Sequence, residues 1–320
     1  MSHNTAATPD LTAELLATAR RAAAAGAAVL AQRQGVHIEA DTKSAAGDWV
    51  TDYDRRAEQA VREVITAERP RDAITGEEYG NTTPADASPY RWSIDPLDGT
   101  ANFVRGILYY ATSVAVAGPA PEGTGEQVWL AGVVQAPALA STWWASRGAG
   151  AWLGGTDAGD DAGARRLTGP VPGAAGALVA TGFGYDAERR DFQVQALAAL
   201  MSGFANVRPT GRAPGAGGAL VAPGFGYHAE RRAFQVQALA ALMSGFANVR
   251  RIGSAALDLC LVADGTLDAY AEYGTGEHDW SAGALIAEEA GCPVLRPDTD
   301  PGWQAAGYVD FEKLPAPPAG

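Results

Sequence analysis

The stretch "WSIDPLDGTANFVRG", Trp92 to Gly106, places two aspartates, Asp95 and Asp98, at the end of an apolar run. Taken alone, Asp98-Gly99 reads as a surface turn, because Asp-Gly is a common turn dipeptide. Pro96 fixes its own φ and stiffens the loop, so both carboxylates can face a common side. Gly99 allows close approach of backbone, and Thr100 can start a helix whose free N–H groups face an oxyanion. The stretch therefore predicts a strand that stops at acids and then a helix start.

Two other segments place acids where an apolar element ends. "GEE" supplies Glu77 and Glu78 after strand-like "AIT", and "EHDWSAGALIAEEAG" opens a helical pattern with Asp279. Alone, the first is a solvated pair and the second an acid that favours a helix N-terminus. Together they form an oxygen-only donor set, which suits Mg²⁺ or Mn²⁺ and not zinc. Carboxylate-held metals and backbone amides are the two parts that phosphoryl transfer needs.

The rest of the chain narrows the class. Its 320 residues allow one large domain or two ordinary ones, with 47% hydrophobic and 19% charged residues. A net charge of −13 argues against nucleic acid or an anionic membrane as the main partner. Cys260 and Cys292 lack CxxC spacing, which fits a reduced, cytoplasmic setting. The opening "MSHNTAATPD" lacks a basic region followed by an apolar core, and "RAAAAGAAVLAQ" is too short and too charged at its edges to span a membrane. No GxSxG or GxxxxGK[ST] motif is present.

Hydrophobic patterning predicts a helix to about Gln32, a strand at "VHIEADT", and a helix over "RRAEQAVREVITAERP" that ends at Pro70. "DAITGEE", "YRWSID", "YYATSVAVAG", "VWLAGVVQAP" and "STWWASRG" read as strands. "SAALDLCLVADG" and "DWSAGALIAEEAG" read as buried helices. The mixture predicts a layered α/β or α+β fold.

Residues 176–208 recur almost unchanged at 218–250, an offset of 42 residues, and differ only as Thr181/Pro223, Asp186/His228 and Asp191/Ala233. Two copies are too few for a solenoid and read as a tandem duplication inside a larger domain or as an artefact of how the sequence was made. "PTGRAPGAGG" joins them with linker-like composition.

These motifs resemble the inositol monophosphatase family of Mg²⁺-dependent, lithium-sensitive sugar phosphatases, over roughly residues 10–295 apart from one repeat copy. "WSIDPLDGTANFVRG" is similar to the family's first signature and "HDWSAGALIAEEAG" to its second, with "KSAAGDWVTDYD", "GEE" and "RRIGSAALDLCLVADGTLDAYAEYG" in matching order. The resemblance implies an α/β/α/β/α layered sandwich in one domain spanning 1–320, with a metal and phosphate half at about 10–150 and a second half at about 165–310. It implies that Glu77, Asp95 and the Leu97 carbonyl hold one metal and that Asp95, Asp98 and Asp279 hold a second, with Glu77 sharing in a weaker third. Thr100 with Glu77 would orient the attacking water, with Asp54 behind Thr100. The backbone of Gly99 and Thr100 would hold the phosphate. Gly253, Ser254 and Ala255 would line the alcohol side, Glu272 would bind a sugar hydroxyl, and Lys43 would lie on a mobile loop near the third metal.

The resemblance further implies two or three Mg²⁺ ions (Mn²⁺ also suits the donors), a small phosphorylated substrate and a homodimer. Its reaction is hydrolysis by a metal-activated water with no covalent enzyme intermediate. Rival substrates within the family are histidinol phosphate, fructose bisphosphate and 3′-phosphoadenosine 5′-phosphate. A rival of another class is a non-catalytic interaction protein on the same fold.

Two departures stand out. His278 occupies a position where the family usually has Trp, and it reads as a packed or surface histidine. Only one repeat copy can fill the fold's strand-and-helix slot. Copy two runs directly into "RRIGSAALD", so it is expected to dock and copy one to be extruded. Copy one, however, keeps the Thr181 that the family favours.

Overall fold

A computed structural model describes residues 9–33, 38–42, 49–120, 123–157, 159, 161–170, 178–181, 193, 248–308 and 311–314. An alanine-rich helix, α1 (Pro9–Leu30), precedes a small ribbon in which β1 (Asp41–Thr42) pairs antiparallel with β2 (Trp49–Val50). The strand expected at "VHIEADT" is thus confined to its last two residues among those described. Helix α2 (Asp52–Glu68) starts from a capping box, with the Thr51 hydroxyl accepting from Tyr53 N and Asp54 accepting from Thr51 N.

β3 (Ala73–Gly76), β4 (Gly80–Thr82), β5 (Arg91–Asp98), β6 (Ala111–Pro119), β7 (Gln127–Ala136), β8 (Ser141–Ser146), β9 (Gly150–Gly154) and β10 (Arg165–Arg166) form an eight-stranded sheet. Its order is β10-β9-β8-β7-β6-β5-β3-β4, and only β3 and β5 pair in parallel. A six-residue helix, α3 (Thr100–Arg105), leaves the end of β5. β11 (Leu178–Ala180), β12 (Asn248–Arg250), β13 (Ala269–Tyr273), β14 (Val294–Leu295) and β15 (Trp303–Gly307) form a second sheet in the order β12-β11-β13-β15-β14. Helices α4 (Ala255–Ala263) and α5 (Glu277–Glu289) lie between the two sheets.

Both faces of the central strands β5 to β8 are buried, which is why they read as largely continuous apolar runs. Alternation sends Val114 and Val116 of β6 into a core with Leu15, Ala19, Val61 and Ile65 of α1 and α2. Ala115 and Ala117 face the other way, into a core with Leu257, Leu259, Leu285 and Ile286 of α4 and α5. The described layers therefore run helix, sheet, helix, sheet. The outer helical layer of the expected sandwich falls between the described strands of the repeats, where Gln193 alone is described; it is buried and its amide donates to the Tyr273 carbonyl. Among the described residues no helix is long and apolar enough to cross a membrane.

The described strands of the second sheet draw on both repeat copies. β11 comes from copy one and pairs in parallel with β12, the last strand of copy two, and with β13. The remainder of both copies lies outside the described residues. Beyond the ladder, Thr181 N donates to the Arg250 carbonyl at 3.0 Å. Copy two has Pro223 at the matching position, and proline has no N–H to donate. One backbone N–H thus distinguishes two sequence segments that are otherwise identical over "LVA".

Thr181→Pro removes this donor and is expected to destabilise the chain by about 1–3 kcal/mol. Thr181→Ala keeps it and should cost clearly less. Thermal melting of both variants checks the bond, and equal losses would contradict it.

Candidate metal centre

The parallel pairing of β3 with β5 sets Gly76 beside Ile94, so the residues that follow, Glu77 and Asp95, leave neighbouring strand ends together. Glu77 N donates to the Ile94 carbonyl at 3.2 Å, which fixes the turn. Its other anchor is Glu58 of α2, a fully buried side chain that accepts from Glu78 N at 2.7 Å and Tyr79 N at 3.2 Å and pairs with Arg62. Reading by motif missed Glu58; the i,i+4 Glu58–Arg62 spacing was its only signal.

At the end of β5 the register with β6 shifts between Asp95 and Asp98. Such an irregularity re-aims side chains. Asp95 Oδ1 accepts from Leu97 N at 3.0 Å. Asp98 Oδ2 accepts from the Ser254 hydroxyl and from Ala256 N, both at 2.7 Å, and so sits on the first turn of α4. Gly99 has φ +94°, a region that side chains disfavour, and a Cβ there would lie 2.9 Å from the Tyr109 carbonyl and 3.3 Å from that of Gly253. Asn102 ties these loops together, its amide donating to the Tyr109 and Ile252 carbonyls at 2.8 Å each. Asn102 too was invisible as a functional position in the sequence.

α5 carries Asp279 into the same region. Asp279 Oδ2 accepts from Gly276 N at 2.6 Å in a capping interaction, and Arg91 on β5 pairs with Glu277 at 2.5 Å. The result is two groups of ligand atoms, each within 4.8 Å of one another: Glu77, Asp95 and His278, and Asp95, Asp98 and Asp279. Asp95 belongs to both. Four acids expected together from distant parts of the chain do meet.

The other expected residues fall around this centre. The Thr100 hydroxyl lies 3.1 Å from Asp54 Oδ1 and 3.0 Å from the Leu97 carbonyl. Asp54 is fully buried. Gly253, Ser254 and Ala255 form the approach to α4, and Ser254 is its N-cap. Glu272 on β13 accepts from the Tyr270 hydroxyl at 3.0 Å; its charge acts on Asp98, and the charge of Asp279 acts on it. Lys43 lies outside the described residues.

Crowded, buried carboxyls resist ionisation. Burial, followed by the charge of Asp279, pushes Asp98 up to about 8 against the hydrogen bonds from Ser254 and Ala256. Burial raises Glu272 to about 7, with Arg251 opposing. Asp279 is raised as well, first by burial and then by Glu77, with His278 opposing. A dication meets this need, because it replaces the held protons and reverses the local field. The donors brought together are carboxylate oxygens with one imidazole, so the residues present fit a hard or borderline divalent ion.

The sign of the pH effect follows. A carboxyl whose pKa is raised by folding holds an extra proton between its ordinary value and its folded value. The stability this contributes is full at low pH and is lost as pH rises through the folded values, about 7 for Glu272 and about 8 for Asp98. The metal-free melting temperature should therefore fall between about pH 4 and about pH 8, and added Mg²⁺ should flatten the fall. A metal-free melting temperature that rises over this range would contradict the electrostatics.

Comparison with known proteins agrees with this centre. The model for the inositol monophosphatase family matches residues 11–313. The chain is 36% identical over 261 residues to inositol-1-monophosphatase SuhB of Mycobacterium tuberculosis, an alignment that covers 79% of this chain and 70% of that protein. It is 38% identical over 146 residues to histidinol-phosphatase of Streptomyces coelicolor, covering 46% of this chain and 52% of the relative. Among solved structures, Mycobacterium tuberculosis SuhB matches with a TM-score of 0.63 at 32% identity, over 93% of this chain and 92% of that one. The chain belongs to the inositol monophosphatase family.

Proposed function

We propose that the chain is a Mg²⁺-dependent phosphomonoesterase acting on a small sugar or polyol phosphate of the inositol-1-phosphate kind. The observation that carries this reading is the convergence of two carboxylate groups through a shared Asp95. In this reading Glu77, Asp95 and the Leu97 carbonyl hold one ion, and Asp95, Asp98 and Asp279 hold another. A bound Mg²⁺ pair supplies Lewis-acid activation of water and charge neutralisation of the phosphoryl oxygens.

The chain's own residues supply position and proton transfer. Asp54 accepts the Thr100 proton, which leaves a lone pair on the Thr100 oxygen to accept from a water. Glu77 is the second carboxylate placed to orient that water. The backbone at Gly99 and Thr100 faces the phosphate, and the α4 approach at 253–255 lines the alcohol side. Glu272, held by Tyr270, accepts from a substrate hydroxyl. Leaving the substrate's alcohol unconstrained by any covalent step, the site needs no side-chain nucleophile.

The similarity to histidinol-phosphatase over 46% of the chain favours histidinol phosphate as the second reading. The division into a metal half and a substrate half, a homodimeric state and a cytoplasmic location complete the proposal.

A panel of phosphate esters with Mg²⁺ should show phosphate release from a polyol phosphate, and Asp95→Asn should abolish both release and Mg²⁺ binding by calorimetry. Preference for histidinol phosphate would select the second reading. No release from any ester would refute the enzyme, leaving a non-catalytic interaction protein. Thr100→Ala should lower kcat about 10²- to 10⁴-fold, whereas Thr100→Ser, which keeps the hydroxyl, should retain most activity. Equal losses in the two variants would remove Thr100 from proton transfer.

A further inference from the structure

The sequence reads His278 as a packed or surface histidine, and the structure sets it beside the acids. One of its ring nitrogens lies within 4.8 Å of carboxylate oxygens of both Glu77 and Asp95. Its Nε2 also stands 3.7 Å from Asp279 Oδ1, so the imidazole sits where the two carboxylate groups meet. The ring is only partly exposed, at 29%.

The backbone has made room for this placement. A Cβ at Gly276 would lie 2.6 Å from His278 Cε1 and 3.1 Å from each ring nitrogen. Gly276 has φ −73°, so its lack of a side chain answers to space and not to backbone conformation. The first turn of α5 is fixed on both sides of the histidine, by Arg91 on Glu277 and by Gly276 N on Asp279. The Ser113 hydroxyl, 3.5 Å from the His278 carbonyl, braces the same turn from β6. Three contacts thus fix the backbone of this turn, and the ring lies in a space that a side chain at 276 would fill.

We propose that His278 is a nitrogen ligand to the dication held by Glu77 and Asp95, and that it biases this position toward Mn²⁺ over Mg²⁺. The inference rests on the reading of the acids as a metal centre and goes beyond its oxygen-only donor set. Mg²⁺ favours oxygen donors and retains its waters, whereas Mn²⁺ lies in the series of metals for which an added imidazole raises affinity. The second position, Asp95 with Asp98 and Asp279, has carboxylates only and carries no such bias.

The test uses the full chain with Mn²⁺ or Mg²⁺ alone as the probe. Electron spin-echo envelope modulation of bound Mn²⁺ should show coupling to a directly bound ¹⁴N nucleus. His278→Ala should lose that coupling and bind Mn²⁺ about tenfold or more weaker by calorimetry, while Mg²⁺ affinity changes by less than about twofold. Gly276→Ala, which crowds the ring and keeps the imidazole, should weaken the same coupling and serves where His278→Ala does not fold. Mn²⁺ bound without ¹⁴N coupling, or coupling retained in His278→Ala, overturns the inference alone. Failure of the wild-type chain to bind either ion overturns it together with the metal-centre reading.

Discussion

Carboxylates that would repel one another if ionised are held in contact by backbone N–H groups. Asp95 is anchored by Leu97 N, Asp98 by Ala256 N and Asp279 by Gly276 N. Leu97 lies at the irregular end of β5, and Ala256 and Gly276 lie at helix starts, where N–H groups have no partner inside the element. Folding therefore does two things at once: it satisfies the backbone and it fixes the acids. The unfavourable part is the raised affinity of Asp98 and Asp279 for protons. A cation relieves that cost, and so the fold and its ion are energetically linked.

The architecture serves this arrangement. Only the β3–β5 pair is parallel in the first sheet, and it is this pair that delivers Glu77 and Asp95 side by side. The helices between the two sheets carry the remaining parts. α4 receives Asp98 at its first turn, and α5 contributes Asp279 from its own first turn. Small residues on β6 and along α5 let that helix lie close to the sheet, so that its N-terminus reaches the strand ends.

How much of this was legible depended on the kind of signal. β6, β7 and β8 were visible because burial on both faces leaves continuous apolar runs, and α4 and α5 because their residues are apolar and end at glycine. The acids were visible as candidates, but their convergence was not contained in their spacing; resemblance to a family supplied it. Glu58 and Asn102 went unnoticed because each acts through backbone groups brought near only by the fold. His278 was read as packing for the same reason, since the space over Gly276 exists only in three dimensions. The repeats posed a different problem. Near-identical copies carry the same pattern, so apolar periodicity cannot choose between them; they differ here by one N–H, present at Thr181 and absent at Pro223.

The central claim is that acids at 77, 95, 98 and 279 surround bound dications. Anomalous diffraction from a crystal equilibrated with Mn²⁺ tests it most directly. The account predicts one anomalous peak between Glu77 and Asp95 and a second among Asp95, Asp98 and Asp279. A map with Mn²⁺ peaks only elsewhere on the chain, or with these four side chains turned apart, would contradict it.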